Sequence, residues 1–260
     1  MATSFDPTAP GAIALLVLLA FRIGGVLLVA PVFSARNVPP MLRAALLVLL
    51  TLLLAPVAAP DAGVPEITVQ PLFAGTLAGF AIGFGAAVVI GAMELAADVL
   101  SIQTGLSAAS AMDPVSGSGS TALGQLMNLF GITLFLAVGG HLLMLEALSA
   151  SVHALPVGSA MTLETGLRGM VSLGAELFAL GVRFAAPVLA AIMIANLAMG
   201  ILGKAAPQFN VLIVAFPVQT GLGLLTLGLA IPVMATFFTT WASWYGAVVE
   251  RLVEALGGGR

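Results

Sequence analysis

Six long apolar blocks make up most of this 260-residue sequence: Gly11 to Phe33, Leu42 to Ala59, Leu72 to Val99, Leu123 to Leu148, Val171 to Gly203 and Val211 to Val249. In hydrocarbon there is no water to satisfy backbone N–H and C=O groups, so runs of this length must be helical. Only 7% of the residues are charged and 60% are hydrophobic, against roughly 25% charged in an ordinary soluble domain. An all-α membrane protein is the expectation.

One bilayer crossing needs about 20 residues. By that measure the first four blocks fit one helix each, and the fifth and sixth are too long. Pro187 divides the fifth, and Pro217 with Pro232 divides the sixth. A proline inside a helix removes a hydrogen bond and crowds the preceding turn, which predicts kinked helices or helical hairpins in these two blocks. Pro39-Pro40, Pro56 to Pro71, Gln103 to Ser120, Pro156 to Gly158 and Pro207 punctuate the connections. Met1 to Pro10 carries no Lys or Arg, so the first block reads as a retained membrane segment and not as a cleaved signal peptide.

Net charge is −3 with eight Lys and Arg, which leaves no basic surface for nucleic acid or for peripheral binding to anionic lipid. Cysteine is absent and there are two histidines, His141 and His153, so disulfides, thiolate metal sites and a His-rich metal site are excluded. No cofactor is implied. The positive-inside rule does not orient the chain. Six simple spans would put Arg36, Arg43 and Lys204 on one side and Arg168, Arg251 and Arg260 on the other. Either the blocks are not six simple spans, or the protein is not placed in the bilayer as an independent polytopic protein.

Few residues within the blocks carry chemistry. Arg22 lies mid-block, where a charge facing lipid costs at least ~2.5 kcal/mol, so it must face protein, a partner or water. Glu94 and Asp98 share a helical face; two such carboxylates either hold a proton or cation or mark the helix emerging into solvent. Glu176 and Arg183, seven apart, are too distant to bridge within one helix, so each would seek another. Gly75, Gly79 and Gly83 recur every four residues, the spacing at which two helix backbones approach closely. Ser107 and Ser110 are not in a nucleophile-elbow pattern, and no Ser–His or paired-Asp arrangement supports catalysis.

Gln103 to Ser120, QTGLSAASAMDPVSGSGS, is different in kind. It is built almost wholly of small residues, with one charge, Asp113, and with Pro114, Gly117 and Gly119 as breakers. A neutral polar loop inside so apolar a chain is either a gate, pore lining or substrate loop, or else a surface linker.

Four stretches, in order, resemble the FliR family, the export-gate component of the flagellar type III secretion apparatus, which has relatives in virulence injectisomes. They are FRIGGVLLVAPVFSARNVPPMLR, with Arg22, Pro31, Pro39 and Arg43; QTGLSAASAMDP, with Gln103, Gly105, Leu106, Asp113 and Pro114; GGHLLMLEALSASVHALPVG, with His141, Ser151, Pro156 and Gly158; and APVLAAIMIANLAMGILGKAAPQFNVLIVAFPVQTGLGLL, with Pro187, Asn196, Gly200, Pro207, Gln208, Asn210, Pro217 and Gly221. Gly140 and Phe209 depart from the pattern.

The resemblance implies one FliR-type export-gate domain over residues 1–260 in a closed, helical hetero-oligomer with FliP and FliQ homologues, beside FlhB and FlhA homologues. It places that assembly at the bacterial inner membrane, in the flagellar basal body, with much of it above the membrane plane, passing unfolded export substrates. It further implies hairpins in the last two blocks, and a pore plug formed by Gln103, Gly105, Leu106, Met112, Asp113, Pro114, Gly117 and Gly119. Packing or subunit-interface roles are expected for Arg22, Gly75, Gly79, Gly83, Asn196, Gly200, Pro207, Gln208 and Asn210. The SARNVP wording leans to the flagellar branch over an injectisome gate subunit. The rival classes are a secondary transporter, which usually shows two related halves, and a stand-alone channel.

Overall fold

A computed structural model of the chain describes residues 6–34, 38–62, 65–104, 121–159, 163–206 and 211–256. Among the described residues there are eight helices and no strand: α1 (Ala12–Val29), α2 (Pro31–Ser34), α3 (Pro40–Ala62), α4 (Val69–Gln103), α5 (Ala122–Ala137), α6 (Gly140–Ala154), α7 (Leu163–Ala205) and α8 (Val211–Leu256). Five segments of the described residues are long and apolar enough to cross a membrane: α1, Pro40–Ala59, α4, Phe178–Ala205 and Val214–Ala242. The chain is an all-α membrane protein.

Where helices end follows from local chemistry. Ala30 precedes Pro31, whose ring disfavours the helical conformation before it; Ala30 takes ψ 123°, ending α1, and Pro31 opens α2. Pro56 does not end α3, which continues to Ala62, so the connection read as starting at Pro56 starts later.

The fourth block is not one helix. Gly139 adopts φ 80°, which glycine takes at little cost, and α5 and α6 meet there at a 65° bend. Gly140 completes the break: a Cβ on it would lie 2.5 Å from Cε2 of Phe135.

Blocks five and six run the other way, each as one continuous helix in spite of Pro187, Pro217 and Pro232. A proline costs one ladder bond, and in an apolar setting the remaining bonds keep the helix intact. The hairpin lies between these blocks and not within either. Gln219 pairs with Asn196, Gly223 with Ile192, and Phe237 with Phe184, edge to face at 5.1 Å, so α7 and α8 pack antiparallel. At 1.5 Å per residue α4, α7 and α8 measure roughly 50, 65 and 70 Å, well beyond a ~30 Å hydrocarbon core.

The chain divides into two compact units, and the division falls inside α4, α5, α7 and α8. The first comprises residues 1–88, 135–174 and 241–260. In it α1 lies parallel to the start of α4. A Cβ on Gly75, Gly79 or Gly83 would meet the carbonyls of Leu18, Arg22 and Val26 at 3.4, 1.8 and 2.9 Å, and one on Gly25 would meet the Thr76 carbonyl at 2.3 Å. The Trp241 and Tyr245 rings pack tilted with centroids 4.9 Å apart, Trp241 also packs on Phe135, and the Tyr245 hydroxyl donates to the Ile82 carbonyl at 2.7 Å. The second unit comprises residues 89–134 and 175–240. It holds the α7–α8 pair and an antiparallel pairing of the end of α4 with α5.

Candidate functional site

Several polar groups of the second unit gather where α4 ends and α5 begins. Glu94 Oε2 accepts from Asn128 Nδ2 at 3.2 Å, Asp98 Oδ1 accepts from Thr121 Oγ1 at 2.9 Å, and Ser101 Oγ donates to Thr121 Oγ1 at 3.0 Å. These three contacts form a ladder up an antiparallel helical hairpin. At the top of it residues 101 and 121 touch, and residues 105–120, which lie outside the described residues, join the two arms.

Thr121 is the hub of this stem. Its hydroxyl gives its one proton to Asp98 and accepts from Ser101 and from the main-chain N–H of Gly124 at 3.0 Å, so its hydrogen-bonding capacity is filled. The Gly124 bond makes Thr121 the N-cap of α5, satisfying one of the free amides of the first turn. Asp98 sits at the positive end of the same helix, where a carboxylate is stabilised without a cationic side chain. Gly124 creates that space, since a Cβ there would lie 2.7 Å from Asp98 Oδ1.

The opposite arm is held from α8. Thr104 is buried, its hydroxyl returns to the Leu100 carbonyl at 2.8 Å, and its own carbonyl accepts from Thr220 Oγ1 at 3.0 Å. Gly223 lies one turn further along α8, where a Cβ would be 2.5 Å from the Thr104 methyl. Both residues flanking the 105–120 segment are therefore fixed to helices, one to α4 and one to α8.

Glu94 and Asp98 are half-buried and engaged with α5. Gln103 is exposed on the last turn of α4. Gly105, Leu106, Met112, Asp113, Pro114, Gly117 and Gly119 lie outside the described residues, as do Pro207, Gln208 and Asn210. Asn196 is exposed and accepts from Gln219 Nε2 across the α7–α8 pair, whereas Gly200 is exposed with open space around it. Arg22, Gly75, Gly79 and Gly83 come together in the first unit. The Arg22 side chain is buried and donates through Nη1 to the Ser151 carbonyl at 2.9 Å, while its main chain rests on Gly79.

Sequence reading passed over Thr104, Thr121 and Thr220, and Tyr245 with them. For Thr121 a signal was present: a threonine just before an apolar block is an N-cap signature. Thr104 and Thr220 pair across 116 residues, a distance no local pattern encodes. Nothing in the stem acts as a nucleophile with a base beside it. Its chemistry is hydrogen-bonded anchoring.

Comparison with known proteins gives this geometry a family. Residues 13–243 match the family model of bacterial export proteins, family 1. The chain is 31% identical over 219 residues to the flagellar biosynthetic protein FliR of Pectobacterium carotovorum subsp. carotovorum, covering 83% of this chain and 84% of that one. It is 29% identical over 222 residues to FliR of Caulobacter vibrioides, covering 84% and 88%, and 25% identical over 241 residues to FliR of Bacillus subtilis, covering 90% and 92%. A match spanning nearly the whole chain, on the order of the helices just described, means that this chain belongs to the FliR family of bacterial export proteins.

Proposed function

We propose that this chain is a non-enzymatic gating and structural subunit of the flagellar type III protein export channel. In this reading it assembles with FliP and FliQ homologues in the bacterial cytoplasmic membrane, beside FlhA and FlhB homologues, to pass unfolded flagellar proteins. The family match over residues 13–243 carries the reading. The long helices support it: Phe178, Met193 and Leu197 of α7 and Leu225, Leu229 and Val233 of α8 are all exposed apolar side chains, a surface that lipid or partner subunits must cover.

The gate is the segment Gln103 to Ser120. Leu106 and Met112 supply apolar contact that seals, the Gly117 and Gly119 tract supplies conformational freedom, and Asp113 with Pro114 shapes the turn. The anchored stem supports this reading, because a plug must be held at both ends to return to the same place after a substrate passes.

Co-purification tests the assembly: recovery of the full chain with FliP and FliQ homologues from membranes is expected, and recovery of a homo-oligomer alone would point to a stand-alone channel. Deleting residues 110–120 in the assembled complex tests the gate, with raised ion leak as the expected result. Unchanged ion permeability with intact export would sink the plug assignment while leaving the assembly standing.

A further inference from the structure

Between α7 and α8, wholly within the second unit, runs a groove of about 390 Å³ whose walls include Phe184, Pro187, Leu229, Ala230 and Val233 and whose single charged wall residue among the described residues is Arg183. Phe184 and Ala230 form its buried floor, whereas Leu229 and Val233 stand 71% and 69% exposed along its lip. An apolar trough with one cation at one end is an unusual thing to leave facing hydrocarbon.

Arg183 has no protein counter-charge among the described residues. The described acidic side chains of its unit, Glu94 and Asp98, are engaged with Asn128 and Thr121, and among the described residues Arg183 forms no hydrogen bond or ion pair, the side chain of Glu176 lying outside them. Its position on the helix is also informative. It lies five residues inside the Phe178 end of an apolar span, about 7.5 Å along the axis, a depth from which an arginine reaches headgroup level. Val233 and Leu229 lie nine and thirteen residues inside the Ala242 end of the neighbouring antiparallel span, roughly 14 and 20 Å deep. Charge sits shallow and the apolar wall runs inward from it.

Pro187, which lines the same groove, gives no N–H to the carbonyl of Arg183, and the guanidinium is the cationic donor at that end, a group suited to a phosphate.

We propose that this groove binds one anionic phospholipid, with its phosphate on the Arg183 guanidinium and an acyl chain along Phe184, Pro187, Leu229, Ala230 and Val233. The proposal rests on the membrane character of the chain and not on the export reading. A lipid held there would serve as a fixed wedge filling the cleft of the α7–α8 pair.

The test uses the full chain purified in detergent, given equimolar dioleoyl phosphatidylglycerol and dioleoyl phosphatidylcholine, with retained lipid counted by native mass spectrometry. One arginine at an anionic headgroup predicts about fivefold preference for the glycerol lipid. Arg183→Lys should keep the preference and Arg183→Gln should abolish it. Val233→Glu, which puts a carboxylate on the lip, should reduce retention of the anionic lipid with the arginine still present. Equal retention of the two lipids by the unmodified chain, or an undiminished preference in Arg183→Gln, overturns the proposal. So does a photocrosslinker at Val233 that couples only to polypeptide in native membranes.

Discussion

Arg22 Nη1 donates to the main-chain carbonyl of Ser151 at 2.9 Å, and that carbonyl lies in the last turn of α6, where it also accepts the N–H of Leu155 at 3.0 Å. The C-terminal end of a helix carries partial negative charge on its unpaired carbonyls. A guanidinium mid-way along an apolar span is therefore answered at Nη1 by a helix end, while its buried Nε has no hydrogen-bond partner among the described residues. The same residue presses its own carbonyl onto Gly79, so α1, α4 and α6 meet at one position.

Removing that side chain should destabilise the first unit. A hydrogen bond from a charged donor contributes about 1.5–3 kcal/mol, so Arg22→Met is expected to lose an amount in that range, measured by denaturant unfolding in detergent micelles. Arg22→Lys keeps a cation near the helix end and should lose less. A Met variant as stable as the parent would mean that the helix-end contact contributes nothing net.

The glycine stripe makes a sharper prediction, because backbone cannot move aside as a side chain can. A Cβ on Gly79 would lie 1.8 Å from the Arg22 carbonyl oxygen and 2.8 Å from its carbon, so Gly79→Ala must push α1 and α4 apart, at about 1–3 kcal/mol for overpacking. Gly228 of α8 is exposed with open space around it. Gly228→Ala should be neutral or gain up to about 1 kcal/mol of helix propensity. Equal melting shifts for the two variants would contradict the close-contact reading.

Much of this architecture was legible from the long apolar runs, and the failures have physical causes. The blocks located the helices because lipid enforces helicity wherever apolar runs are long. Pro187, Pro217 and Pro232 misled as dividers, since one lost ladder bond does not end a helix whose remaining groups have nowhere else to bond. Gly139-Gly140 misled in the opposite sense: the break was written in the sequence, but two glycines inside an apolar run look like ordinary membrane-helix composition. Arg22 was singled out by its charge, while its partner was invisible, because the acceptor is main chain and no residue type announces it. The stem of the 105–120 segment went unread for a related reason. Glu94 and Asp98 stood out by charge, but the groups that answer them and fix the two arms are Asn128, Ser101 and three threonines, whose meaning depends on what faces them.

The α8 side of that stem is tested by Thr220→Val, which keeps shape and removes the donor to the buried Thr104 carbonyl. A neutral hydrogen bond is worth about 1 kcal/mol, or about fivefold in local opening. Amide hydrogen exchange in the last turn of α4, Leu100 to Thr104, should quicken by that factor while the exchange of α1 is unchanged. Exchange unaltered at Thr104 would show that α8 does not restrain this arm.

The α4 side is tested by coupling Asp98 to Thr121. Thr121→Ala removes both the N-cap of α5 and the donor to Asp98, and should cost about 0.5–2 kcal/mol for the cap alone. Asp98→Ala leaves the cap but removes an ionised acceptor, and Asp98→Asn keeps an acceptor oxygen without the charge that favours a helix N-terminus. The three therefore separate: Asp98→Asn should be milder than Asp98→Ala, and the Asp98→Ala, Thr121→Ala double variant should be less destabilised than the sum of the singles, with a coupling energy of about 1.5 kcal/mol. Unfolding of all four variants in the same micelles measures it. Strict additivity would mean that the two residues merely lie together, and that the Glu94–Asn128 pair holds the hairpin stem without them.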